Sequence, residues 1–209
     1  MMAYKYPNCR LCRREGEKLF LKGARCQSQK CALVRKSYAP GDHGAASKKG
    51  KPSSYAIQLR EKQKTKRIYG LREGQFFKYY SLASKKKGVT GLVLLQLLET
   101  RLDNIIFRLG WAPSRHTARQ VVSHDHIQVN GHTVNIPSYQ VKIGDKITVK
   151  ESSKTKKYFK ETLDLGDFKP PIWLKANSSA LTGEIITLPS KDDIDSNINE
   201  QLIIEFYSR

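Results

Sequence analysis

Cys9, Cys12, Cys26 and Cys31 are the four cysteines of the chain, and they run C-x2-C, thirteen residues, C-x4-C. A C-x2-C turn delivers two thiolates from one stretch of backbone. A second knuckle delivers two more, which together make the donor set of a tetrahedral metal site. The neighbours Arg10, Arg13, Arg14 and Lys30 favour the thiolate forms and offset the charge of a four-sulfur centre. The expected cofactor is Zn2+, held closed for structure; four thiolates also suit an iron–sulfur cluster, and spacing alone admits both. His43, within Pro40-Gly41-Asp42-His43-Gly44, is a further candidate ligand. Four unconnected buried thiols are the plainer alternative. A redox reading of Cys9–Cys12 lacks its strand–helix context. The opening MMAYKYPNCR has no apolar signal core. We therefore expect a chain kept in the cytoplasm, where disulfides are disfavoured.

Charge is the second chemical resource. The 209 residues carry 38 Lys+Arg against 19 Asp+Glu, a formal +19. Residues 1–60 hold fourteen basic and three acidic side chains, 61–91 nine and two, 92–160 eleven and five, and 161–209 four and nine. A bias sustained over 160 residues and then reversed exceeds what solubility requires, and it would concentrate polyanions at the surface. Anionic membrane is the competing partner. However, the longest apolar stretch, Leu92–Leu98, is short and interrupted by Gln96, and the basic helices lack an apolar face fit for a bilayer. Nucleic acid is the expected partner, with no membrane and no small-molecule substrate.

The elements that must position these groups follow from pattern. Residues 1–52 show little periodicity and need a staple or a partner. Ser53 or Ser54 can cap a basic helix to about Ile68. A second helix should run from Arg72 to Lys86. Thr90 can cap a third, in which Leu94, Leu95, Leu98, Leu102, Ile105, Ile106 and Leu109 recur at helical spacing up to Gly110; this stripe reads as core. Tyr69, Phe76, Tyr79 and Tyr80 also read as core rather than stacking platforms. Ser114 caps a short helix, Arg115 to Ser123. Residues 126–129, an Asn130-Gly131 turn and 133–136 form a hairpin, with further strand at 140–143 and 146–149 around Gly144-Asp145. Residues 161–177 read as a helix followed by Pro170-Pro171, and the end as strand-like and mixed polar.

The expected fold class is α+β. A metal-stapled N-terminal segment (1–52) precedes a helical domain (53–98) on which 162–209 packs back. Inserted between them is a small compact module (99–161) of two helices plus a small antiparallel sheet.

If the nucleic acid is RNA, whose A-form hides its major groove, the expected contacts are to phosphates, shape and unstacked bases. In the module, Arg115 and Arg119 lie one helical turn apart beside Thr117 and can straddle a backbone. Ser123 and His124 close that helix, and the Asn130-Gly131 turn can approach a backbone closely. His124 and His126 also fit plain surface or core packing. The wider footprint takes in Arg13, Arg14, Lys22, Arg35 and Lys36, then Lys48 and Lys49, and on the first basic helix Arg60, Lys62, Lys64, Lys66 and Arg67. His43 fits a Gly-rich loop packing on RNA better than it fits a metal.

These residues carry a resemblance. Cys9–Cys31 with Leu19-Phe20-Leu21-Lys22-Gly23, the Pro40–Gly44 loop, Gln58-Leu59-Arg60-Glu61-Lys62-Gln63-Lys64 and Arg67-Ile68-Tyr69-Gly70 stand in order with Arg101-Leu102-Asp103-Asn104, Ala118-Arg119-Gln120, Val122-Ser123-His124 and Val129-Asn130-Gly131. Asn199-Glu200 and Tyr207-Ser208 close the set. Over essentially its whole length the chain resembles the bacterial small-subunit ribosomal protein S-four family, in its zinc-bearing branch. The segment from about Glu99 to Glu161 looks like the RNA-binding module named after that family.

The resemblance implies a primary binder of 16S ribosomal RNA, cytoplasmic and within the ribosome, that nucleates assembly of the 5′ domain. It implies contacts with protein S-five and other small-subunit proteins, and with mRNA near its entrance channel, where the pair influences decoding accuracy. The terminal Met1-Met2-Ala3-Tyr4-Lys5-Tyr6 departs modestly from the family pattern. An RNA-modifying or tRNA-linked enzyme carrying the same module would need a catalytic domain, and no Rossmann or P-loop glycine pattern or nucleophile elbow occurs. A stress-related RNA chaperone of free large subunits would be shorter and lack the cysteine segment.

Overall fold

The computed structural model describes residues 7–46, 51–156, 159, 169–177, 180–194 and 197–209. The chain divides into two compact units, residues 1–94 with 196–209 and residues 95–195.

The first unit begins with helix α1 (Asn8–Glu15), stopped by Gly16 in the left-handed region at φ 76°. A 3-10 turn (Gly23–Cys26) and the short α2 (Ala32–Arg35) follow. Leu11, Cys12, Leu19, Cys26 and Cys31 are buried, so this segment has more of a core than its composition suggested. Helix α3 (Ser54–Ile68) starts where a cap was expected: the Ser53 hydroxyl accepts from the Ala56 N–H at 3.3 Å. Helix α4 (Glu73–Lys85) turns Phe76 and Ala83 fully inward.

The expected third helix, running unbroken to Leu109, is two. Helix α5 (Thr90–Glu99), within which the division between units falls, is followed by α6 (Leu102–Arg108), with Arg101 extended between them (φ −67°, ψ 138°). Arg101 pairs with Gln140 in an isolated bridge, Leu102 N–H donates to Tyr139 O, and Val141 N–H donates to Thr100 O. Tertiary hydrogen bonds therefore take over the backbone groups that a continuing helix would use, while the apolar spacing resumes in phase beyond the break.

Helix α7 (Arg115–Ser123) is capped by Ser114, whose hydroxyl accepts from Thr117 N–H at 3.2 Å. It packs on α6 through Ala118, Val121 and Val122. Strands β1 (Ile127–Val129) and β2 (His132–Thr133) form the hairpin, with Asn130 and Gly131 both left-handed at φ 50° and 82°, as a two-residue turn of this hand requires. Strand β3 (Lys146–Val149) follows, then the short α8 (Glu151–Lys154). The expected strand at 140–143 is reduced to the bridge at Gln140.

Residues 161–168 lie outside the described residues. Beyond them, β4 (Leu174–Asn177) and β5 (Thr182–Ile185) complete an antiparallel sheet of order β2-β1-β3-β5-β4. Lys146, Ile147 and Thr148 face Glu184, Gly183 and Thr182 across the β3–β5 pair. Packing of all of 162–209 on the helical segment is therefore corrected: these strands extend the module's own sheet. The second unit's core runs through Leu102, Ile105, Ile106, Leu109, Trp111, Ala118, Val122, Ile127, Ile147 and Trp173, each 4 % exposed or less. Burial of each Leu or Ile side chain contributes about 1.5–3 kcal/mol.

Only 196–209 returns to the first unit, and it returns as a helix rather than as strand. Helix α9 (Glu200–Tyr207) is capped by Asn199, whose side chain accepts from Gln201 N–H. It packs on α3, where Gln58 donates to Glu205 at 2.8 Å and Lys64 donates to Asn197 O at 2.7 Å.

Candidate nucleic-acid interface

Cys9 and Cys12 stand three residues apart on α1, Cys26 ends the 3-10 turn, and Cys31 caps α2. All four line one cavity of about 20 Å³, with Asn8, Leu21, Lys22, Arg25, Ala32 and Leu33; His43 is exposed in its loop and does not line it. Burial pushes the Cys12 thiol up, a Leu19 backbone hydrogen bond opposes this, and the charges of Cys26, Cys9 and Cys31 add to it. Lys22 N–H donates to the Cys26 sulfur at 3.3 Å. Four thiols with backbone N–H groups aimed at two sulfurs are a donor set that fits a thiophilic ion. Among the described residues, however, no group of three or more His, Cys, Asp or Glu side chains is arranged to hold a metal ion.

The basic residues of α3 divide in a way that spacing did not reveal. Lys62 and Lys66 are buried, and each meets Glu73 at 2.7 Å; Lys64 is buried beside Glu61 at 3.0 Å and Glu17 at 3.5 Å. Arg60 and Arg67 converge on Glu15, whose side chain is 1 % exposed. Burial pushes the Glu15 carboxyl up against the pull of Arg67 and Arg60, and burial lowers Arg60. Glu73 is driven up by burial, but hydrogen bonds from Lys62, Lys66 and Tyr207 outweigh this and hold it at about 2. The expected footprint of Arg60, Lys62, Lys64, Lys66 and Arg67 is therefore divided: Lys62, Lys64 and Lys66 are buried and Arg67 is largely so, and only Arg60 is substantially open. Lys62, Lys64, Lys66 and Arg67 act as internal counterions, while Arg60 pairs with Glu15 and keeps 36 % of its side chain exposed.

Arg13 is likewise engaged, donating to Tyr38 O and Ala39 O at 3.0 and 3.2 Å with its guanidinium over the Tyr38 ring. Arg14, Lys22, Arg35, Lys36 and His43 are exposed, whereas Lys48 and Lys49 lie outside the described residues. The sequence reading passed over four exposed cations on and just beyond α4: Lys78, Lys85, Lys86 and Lys87. The Lys85–Lys87 run was their signal.

In the second unit two buried carboxylates organise the arginines. Asp103 accepts from Arg101 (Nε 3.0 Å, Nη2 2.7 Å) and from Arg119 (Nε 3.1 Å, Nη2 2.7 Å). Glu99 accepts from Arg108 through Nε and Nη2, both at 2.9 Å, and from Asn104 at 2.7 Å, with Arg115 Nη2 at 3.9 Å. Arg115 Nε donates to Asn104 Oδ1 at 2.7 Å, and its guanidinium lies 4.5 Å from the Phe107 ring centre. Arg101 and Arg108 are buried; Arg119 and Arg115 keep 22 % and 15 % of their side chains exposed.

Thr117 shares a hydroxyl contact with Ser114 at 2.9 Å, and Ser123 and His124 are exposed at the end of α7. His126 is bonded to Ser153 at 3.0 Å, and burial, with Lys156 and His124 nearby, lowers its pKa. The Asn130 side chain donates to Asp145 at 2.8 Å and accepts from Lys146 N–H at 2.9 Å, binding two turns together. A Cβ at Gly131 would meet nothing within 4 Å, so its open side stays available to a partner. Arg115, Thr117, Arg119, Ser123, His124, Asn130 and Gly131 thus all lie in one unit, along α7 and the turn of the hairpin that follows it.

Comparison with known proteins matches residues 3–99 to the ribosomal protein S4/S9 N-terminal domain and residues 100–147 to the S4 domain. The chain is 54 % identical over 209 residues to "Small ribosomal subunit protein uS4A" of Symbiobacterium thermophilum, with the whole of both chains covered. It is 55 % identical over 210 residues to "Small ribosomal subunit protein uS4" of Heliobacterium modesticaldum, and equally to that of Halothermothrix orenii, again over full lengths.

Proposed function

The chain belongs to the small ribosomal subunit protein uS4 family, and we propose that it acts as a primary binder of 16S ribosomal RNA that nucleates assembly of the 5′ domain. It is a structural, non-enzymatic component of the ribosome. The observation that supports the finer reading is identity above one half in matches that cover the whole of both chains. A net +19 and the partly open Arg115 and Arg119, in the same unit as the Asn130–Gly131 turn, support it. Cations on a rigid scaffold meet phosphates without reorganising, and shape rather than base sequence selects the site.

The same reading extends to contacts with protein S-five and with mRNA near its entrance channel, and to a cytoplasmic ribosomal location. No helix among the described residues is long and apolar enough to cross a membrane. Cys9, Cys12, Cys26 and Cys31 would hold a zinc ion, whose thiolate bonds would tie α1 to the turns before α2; an iron–sulfur cluster is the alternative occupant. Binding of the full chain to deproteinised 16S RNA, followed by sedimentation with small subunits after a high-salt wash, tests the function. Retention on the subunit is expected. Release into the wash, or failure to bind the naked RNA, refutes it.

A further inference from the structure

Two carboxylates with almost no solvent exposure sit beneath the arginines of α7, Asp103 at 4 % and Glu99 at 0 % of the side chain. Each is shared between a buried guanidinium and a partly open one. Asp103 serves Arg101 and Arg119, and Glu99 serves Arg108 and, through Asn104, Arg115. A long arginine side chain loses considerable rotamer entropy when it is ordered, and a carboxylate that engages its Nε–Nη2 edge removes that freedom before any ligand arrives. Arg119 is engaged in this manner; Arg115 is fixed by Asn104 at Nε and by the Phe107 ring. The two lie four residues apart on one helix and therefore on one face. Asp103 and Asn104 are adjacent on α6, so a single turn of α6 orients both.

Resting on the RNA-binding reading above, we propose that Asp103 and Glu99 are positioning residues: from beneath α7 they fix the guanidinium planes of Arg119 and Arg115, whose solvent-open parts then meet successive phosphates of one RNA strand. The carboxylates themselves touch no RNA. Bulk electrostatics makes the opposite prediction, because deleting a carboxylate from a surface that attracts a polyanion should tighten binding.

The experiment is a filter-binding titration of the full chain on deproteinised 16S RNA across salt concentrations, with thermal unfolding recorded for every variant. Arg119→Lys keeps the charge and leaves the Asp103–Arg101 pair intact, but it cannot present a planar edge to Asp103. Positioning predicts roughly tenfold weaker binding with an unchanged melting temperature. Asp103→Asn, studied where its melting curve shows it folded, should also weaken binding, and combined with Arg119→Ala it should add nothing further. Arg119→Ala alone should lower the slope of log K against log salt by about one.

Parent-like binding by Arg119→Lys overturns the inference. So does tighter binding by Asp103→Asn, or full additivity in the double variant. Failure of the parent chain to hold the RNA at all would instead overturn the RNA-binding reading.

Discussion

The Lys62 ammonium stands 2.7 Å from Glu73 Oε1, within a helix-to-helix lock that also engages Lys66 and the Tyr207 hydroxyl at 2.7 Å each. Lys62 is 5 % exposed, so the carboxylate is its counterion in place of water. Glu73 titrates at about 2 in the folded chain against an ordinary 4.5. A depressed carboxyl contributes stability that is complete above its unfolded value and lost as pH falls through its folded one. Stability should therefore decline between about pH 5 and pH 2. Glu73→Gln should flatten that decline and cost on the order of 1 kcal/mol at neutral pH, with allowance for solvent screening of a half-exposed carboxylate. Urea unfolding at a series of pH values checks both; a parallel, undiminished decline in Glu73→Gln would assign the acid sensitivity elsewhere.

Glu15 makes the corresponding junction between α1 and α3. With its side chain 1 % exposed and both Arg60 and Arg67 directed at it, Glu15→Ala leaves two half-buried guanidiniums without their anion. We expect a loss of about 2 kcal/mol and faster protease cleavage within residues 16–52. Parent-like cleavage kinetics would show that α1 is held by other contacts.

Much of this arrangement was legible in the sequence because the relevant physics is local. Ser53 and Ser114 cap the helices they were expected to cap, and the Asn130-Gly131 pair sets the hairpin's hand. The break at Arg101 was not legible: its causes are backbone bonds from Leu102 to Tyr139 and from Val141 to Thr100, some forty residues away in sequence, while the leucine stripe keeps its phase across the interruption. Helix α9 was missed because eight residues are too few to form a helix on their own, and its Ile, Phe and Tyr also suit a strand. Burial of Ile203 and stacking of Tyr207 on Tyr80 at 4.7 Å stabilise it instead. At the candidate interface, residue type indicated cations but not their partners. Lys62 and Lys78 look alike in the chain, yet one neutralises Glu73 and the other faces solvent.

If phosphate contacts dominate the interface, affinity for 16S RNA should fall by roughly three to five decades between about 50 and 200 mM salt, as expected for about six to ten neutralised phosphates. Because Lys62, Lys64 and Lys66 are internal, Lys→Ala there should act through the melting temperature. Lys85→Ala, Lys86→Ala and Lys87→Ala, at exposed positions, should each reduce the salt slope and leave unfolding unchanged. A flat salt response would remove electrostatics from the explanation.

The cysteine cavity makes its own prediction. With zinc bound, elemental analysis should return one ion per chain, and chelation should expose residues 7–46 to protease while leaving the unfolding of the second unit in place. Cys9→Ser should reproduce the chelated pattern. Visible absorbance from sulfide-bridged iron would identify the alternative occupant, and metal-free protein with an equally protected N-terminal segment would show that Leu11, Leu19 and the Glu15 junction suffice to fold it.

Gly183 occupies the middle of β5, directly over the end of α6. A Cβ placed there would stand 2.7 and 2.8 Å from the two methyl carbons of Leu109, which is itself 4 % exposed. Its neighbours across the sheet are Ile147 and Ala176, so the strand cannot withdraw without breaking the β3 and β4 ladders. Gly183→Ala should therefore destabilise the second unit by about 1–3 kcal/mol through overpacking. Leu109→Ala should do so by about 2–5 kcal/mol through a cavity. Each change fills or vacates the space the other needs, so the double variant should be markedly more stable than the sum of the two losses. Urea unfolding of all four proteins measures that coupling, and simple additivity would mean that Leu109 has another rotamer to adopt and that contact between α6 and the sheet does not constrain this glycine.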